Sequence, residues 1–209
     1  MTAINRVGFL AGVAAATATV AYGLAQVLQL AGWLSSPVDE ILIYGSSLAI
    51  VVPFLLELLA LHHLTEGPRR YWSHAALIFA VIYAVFVTAN YVVQLATVVP
   101  ARLRGTVDAI RLLDQTPHSL FWDYDAIGYV AMGLSALCAA PAVPGPGIAR
   151  TARLALMAHA LVTPLIAVVY FAPAYSSGLL LLGAPWIVTA PLFMLLLARA
   201  LRQRRVPAG

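Results

Sequence analysis

Six apolar runs, each long enough to cross a bilayer, divide this chain at about Val7–Leu34, Ile41–His63, Ser73–Val99, Ser119–Ala140, Ala152–Phe171 and Gly178–Leu201. A hydrocarbon core about 30 Å thick needs about 20 such residues per helix, and lipid tolerates no unpaired backbone polar groups. The runs predict an all-α polytopic membrane protein, a six-helix transmembrane bundle forming a single domain over residues 1–209. The chain is 62% hydrophobic and only 10% charged, with a mean hydropathy of +0.91, which excludes an ordinary soluble domain. One Arg ahead of the first run resembles a signal peptide. The run continues to Leu34, however, and reads as a retained first helix.

All 12 basic residues are Arg. With the N-terminus inside, the inner segments hold Arg6, Arg69, Arg70, Arg150, Arg153, Arg199, Arg202, Arg204 and Arg205, and the outer segments hold Arg102, Arg104 and Arg111. Nine against three predicts cytoplasmic termini in a bacterial-type inner or plasma membrane. The net charge of +4 thus reads as topology and as contact with the lipid bilayer, not as nucleic-acid binding. The basic tail from Arg202 is expected to touch anionic headgroups. Cys138 is the only cysteine, so neither a disulfide framework nor a thiolate cluster is available. His62, His63, Glu66 and His74 lie close in sequence, but adjacent histidines point apart on a helix and no HExxH spacing is present. No metal and no cofactor is expected.

The chemistry concentrates in Pro117–Tyr129, reading PHSLFWDYDAIGY. Ser119 suits an N-cap, which places Asp123 and Asp125 in the first two turns of the fourth span among Phe121, Trp122, Tyr124 and Tyr129. Ionisable groups at that depth mark a site facing protein or water; the competing reading is dipole complementation beneath an aromatic belt. In the third span Tyr83, Asn90, Gln94 and Thr97 share one face, with Phe86 and Val87 between them. Asn90 and Gln94 reach the level of the two aspartates, as parts of a site or as interhelical glue. Between these spans, Val107, Ile110, Leu112 and Leu113 alternate with Arg and Asp, predicting a short amphipathic segment on the outer surface able to cover a pocket. Glu57 is the deepest carboxylate and requires neutralisation or a partner, His62 and His63 being nearest. Pro185 and Pro191 flank Trp186 and Thr189 in the sixth span and predict a kink that makes room for a cavity. The Ala, Gly and Thr of the first span read as close packing.

The chain carries no nucleophile motif, no nucleotide loop and no Lys for a Schiff base. A carboxyl kept protonated by burial can deliver a proton, and aromatic faces stabilise cations. Tyr83, Phe86, Asn90, Tyr91, Gln94, Phe121, Trp122, Tyr124, Tyr129 and Trp186 are the expected lining for a lipophilic small-molecule substrate. Such a pocket suits proton-initiated cyclisation of an isoprenoid alkene or epoxide. With Glu57 in the second span, Trp122-Asp123-Tyr124-Asp125 heading the fourth and this overall size, the chain resembles the small integral-membrane terpene cyclases. The resemblance implies Asp123 or Asp125 as the catalytic acid, together with Glu57. The chain departs from that family in having six spans where the fungal enzymes have seven, and in placing Glu57 at the opposite depth from the aspartates. The alternative is a small-molecule transporter or ligand-binding membrane protein in which the same acids and amides hold a polar or cationic solute; a third reading is a structural subunit without a site.

Overall fold

The computed structural model describes residues 2–204, and every regular element among them is helical. Six long helices carry the fold: α1 (Ala3–Leu30), α2 (Val38–His63), α3 (Arg69–Leu103), α4 (Leu120–Ala139), α5 (Ile148–Phe171) and α6 (Ser177–Gln203). All six are long and apolar enough to cross a membrane, and the chain is an integral membrane protein. Consecutive helices pack side by side, and α6 returns against α1 to close a ring. Residues 2 and 204 therefore lie at one end, here the terminal end; the α1–α2, α3–α4 and α5–α6 links lie at the distal end.

Small residues close the ring. Gly8 and Gly12, one turn apart on α1, present a single face with no side chain. A Cβ on Gly8 would sit 2.7 Å from that of Ala60 in α2; one on Gly12 would sit 2.6 Å from that of Ala198 in α6 and overlap the Glu57 carboxyl. Without a hydrophobic force between helices in lipid, such close backbone contact is what holds them. Asn5 Nδ2 then donates to Leu201 O (2.7 Å) and Arg204 O (2.9 Å), tying the first turn of α1 to the last of α6.

The helices start and stop where their caps dictate. α1 begins at Ala3, ahead of the expected Val7, because Thr2 and Asn5 form a capping box. It ends at Leu30, ahead of the expected Leu34, where Gly32 at φ +73° turns the chain out of the helix. Ser119 Oγ accepts from Trp122 N (3.2 Å), the expected N-cap of α4. The larger departure is in α3, which continues past Val99 to Leu103 through a π-helical turn at Gln94–Val98. The wider turn rotates the distal end of the helix, so Val98 is buried and Thr97, expected on the Asn90–Gln94 face, is exposed.

The outer segment between α3 and α4 is present as 3-10 turns over Val107–Leu113. None of its residues is fully buried: Val107, Ile110 and Leu113 are half-buried, while Leu112 is 87% exposed. Polar contacts also hold it: Arg102 bridges Glu40 (2.5 Å) and Asp114 (2.9 Å), and Gln94 Nε2 donates to Leu113 O (2.8 Å). Arg205 and the rest of the tail, where headgroup contact is expected, lie outside the described residues.

Candidate functional site

Asp125 is the centre of the distal third of the bundle. It follows Ser119 by six residues, so the capped first turn of α4 directs it inward, and it is only 4% exposed. Its Oδ1 accepts from Tyr91 Oη (2.6 Å) and Asn90 Nδ2 (3.4 Å); its Oδ2 accepts from Tyr170 Oη (2.5 Å) and Gln115 Nε2 (3.2 Å). Each oxygen thus meets one amide, which can only donate, and one phenol, which can donate or accept. Among the described residues no basic side chain pairs with it, since both ion pairs belong to Arg102.

The donors come from three directions. Asn90 and Tyr91 lie on α3 immediately before the π turn, Tyr170 is in the last turn of α5, and Gln115 comes just after the outer segment. Gln94 anchors that segment from below, with Oε1 accepting from Gln115 N (3.2 Å) and Nε2 bound to Leu113 O. Gln115 Oε1 in turn accepts from Asn90 Nδ2 (3.0 Å). The segment is therefore latched to the buried carboxylate through one half-buried glutamine side chain.

Aromatic faces surround this group. Tyr44 of α2 stacks on Tyr91 at 5.2 Å, and Trp122 packs on Tyr170 at 4.6 Å with Nε1 donating to Tyr170 O (3.4 Å). Tyr129, one turn below Asp125, places its hydroxyl 3.3 Å from that of Tyr91. Its ring meets Trp186 edge-on at 5.1 Å, and Trp186 meets Tyr22 at 5.3 Å. Deeper still, His159 Nδ1 contacts Thr189 Oγ1 at 3.0 Å and its ring packs on Phe193.

The expected residues are thus divided. Asn90, Tyr91, Gln94, Trp122, Asp125 and Tyr129 converge, with Trp186 beneath them. Asp123 does not join: two residues from Asp125 on a helix, it points to the other side and is exposed. The carboxylate pair expected from the sequence is therefore a single carboxylate. Phe86, Phe121 and Tyr124 form their own edge-to-face group between α3 and α4 (Phe86–Tyr124 5.1 Å), and Tyr83 packs lower, on Phe54 at 5.6 Å.

Glu57 belongs to a different level. It lies thirteen residues along α2 from Tyr44, about 20 Å away. It is fully buried, neither carboxyl oxygen has a hydrogen-bond partner among the described residues, and it fills the space left by Gly12. The histidines do not reach it; His62 Nδ1 contacts Ser73 Oγ at 3.1 Å instead. Sequence reasoning passed over Tyr170, Gln115, Tyr44 and Tyr22. Tyr22 and Tyr44 had a signal in their similar depth, eight and six residues from the distal ends of their helices, whereas Tyr170, one residue from its helix end, and Gln115 had none. Comparison of the chain with protein-family models, curated proteins and solved structures finds no match.

Proposed function

We propose that the distal third of the bundle is a gated site for a lipophilic small molecule that carries a positive charge, with Asp125 as its counter-ion. The observation that carries this reading is a buried carboxylate with four hydrogen-bond donors and, among the described residues, no basic partner, walled by tyrosine and tryptophan rings. A carboxylate and aromatic faces attract the same ligand class, an organic cation. The outer segment, which has no fully buried residue, supplies the gate: when it lifts, Gln115 leaves Oδ2 and frees an acceptor for the incoming cation. The nine-to-three distribution of arginines supports cytoplasmic termini, so the gate faces outward.

The test uses tetraphenylphosphonium as the probe, with purified protein in detergent. Saturable binding, lost in Asp125→Asn and retained in Asp123→Asn, supports the site. Equal binding by wild type and Asp125→Asn removes it.

The isoprenoid cyclase is the second reading, favoured by the 3.3 Å contact between the Tyr91 and Tyr129 hydroxyls. A proton on Asp125 has only the phenols to go to, and Tyr91 can pass it to Tyr129, among the rings of Tyr22 and Trp186 that would face a carbocation. Protonation of an alkene or epoxide would then proceed through Tyr129, with Asp125 behind it and neither Asp123 nor Glu57 taking part. Cyclised product from an epoxidised farnesyl substrate in membranes, abolished by Tyr129→Phe and by Asp125→Asn, supports this reading; full turnover in both variants refutes it.

A further inference from the structure

We propose that a groove at the terminal end, between the last turn of α2 and the first turns of α3, binds the headgroup and glycerol region of an anionic phospholipid. A surface cavity of about 600 Å³ opens there, lined by His62, Arg70, Tyr71, His74, Ala75 and Ile78. Its chemistry is graded along α3. Arg70 and His74 are exposed near the helix start, and Ile78, two turns further into the membrane at about 12 Å, is exposed and apolar. Charge outside and hydrocarbon inside match an amphiphile lying along the helix.

The charge on this wall has one sign. Among the described residues Arg70 takes part in neither ion pair and no carboxylate lines the groove; Glu66, in the preceding loop, is the nearest acid in sequence. His62 is oriented as well. Ser73 Oγ donates to Arg70 O (3.0 Å), so it accepts from His62 Nδ1–H, which leaves His62 Nε2 as an acceptor for a hydroxyl of the headgroup or glycerol. The His74 ring meets His62 edge-on at 5.3 Å, bringing two imidazoles and one guanidinium to the same wall. A phosphodiester with a net negative charge meets the guanidinium and a hydroxyl-bearing headgroup donates to His62 Nε2, whereas a zwitterionic choline headgroup, whose own cation faces Arg70 and which has no hydroxyl, satisfies the wall less well.

The experiment offers the purified full chain equal amounts of phosphatidylglycerol and phosphatidylcholine and counts the lipids retained in native mass spectra. Preferential retention of phosphatidylglycerol is expected. Arg70→Gln should lower the preference about five-fold, the factor one basic side chain near an anionic surface contributes. Arg70→Lys, which keeps the charge, should preserve most of it, and Arg104→Gln at the distal end should leave it unchanged. Equal retention of the two lipids by wild type overturns the proposal, as does an unchanged preference in the Arg70→Gln/His74→Gln double variant. Millimolar inorganic phosphate should not displace the lipid, because Ala75 and Ile78 hold its apolar part; displacement would refute a lipid in favour of a free anion.

Discussion

Tyr170→Phe isolates one hydrogen bond of the Asp125 group. The change deletes a single oxygen, leaves the ring packed against Trp122, and removes the shortest contact to the carboxylate, 2.5 Å to Oδ2. Hydrogen bonds to charged groups are worth about 1.5–3 kcal/mol, and here Gln115 at 3.2 Å is the only other donor to that oxygen among the described residues. The expected loss of stability is therefore about 2 kcal/mol, read by reversible unfolding in mixed micelles of increasing denaturing-detergent fraction. In an Asp125→Asn background the same bond is neutral to neutral and worth about 1 kcal/mol. The double-mutant cycle should then show a coupling of about 1 kcal/mol between Tyr170 and Asp125. Tyr175→Phe, whose ring contacts Trp122 at 5.8 Å but whose hydroxyl makes no hydrogen bond to Asp125, is the control and should change little. A loss below about 0.5 kcal/mol for Tyr170→Phe, or an equal loss in both backgrounds, would show that the carboxylate is not the energetic centre of this group.

The remaining expectations rest on other contacts. Gly12→Ala should destabilise by about 1–3 kcal/mol through overlap with Glu57 and Ala198. Part of that loss should disappear in a Glu57→Ala background, the overlap with Ala198 remaining; strict additivity would refute the contact with Glu57. Glu57→Met replaces a carboxyl whose two oxygens have no partner by an apolar chain of similar length, and should stabilise the fold by about 1–3 kcal/mol; a fall in the same unfolding assay would mean the acid has a partner in the membrane. Gln115→Ala should leave global stability within about 0.5 kcal/mol while speeding amide exchange over residues 107–115 at least ten-fold, and unchanged exchange would mean that the segment is held elsewhere.

Hydropathy made the six spans legible because lipid imposes length and apolarity on every helix at once. The N-cap was legible too, since Ser119 acts within four residues of itself. Helical geometry placed Asn90 and Gln94 at the depth of Asp125, yet the same periodicity misplaced Thr97, because a π turn adds a residue that no hydrophobic pattern announces. The aspartates looked like a pair in the sequence; a rotation of about 200° over two residues separates them in space. Tyr170 and Gln115 enter the site from 45 and 10 residues away. Such partners depend on which helices become neighbours, and local sequence carries no record of that.

The bonds from Asn5 to Leu201 and Arg204 span nearly the whole chain. During synthesis, the second helix can cover part of the glycine-bearing side of the first through Ala60 and Glu57, but the part that meets Ala198 and Leu201 must wait in the bilayer until the sixth has been threaded in. Assembly of this barrel-like circle is thus set by its slowest and most distant encounter. A chain interrupted before that point would leave a narrow, adhesive strip of bare backbone open to any other helix nearby.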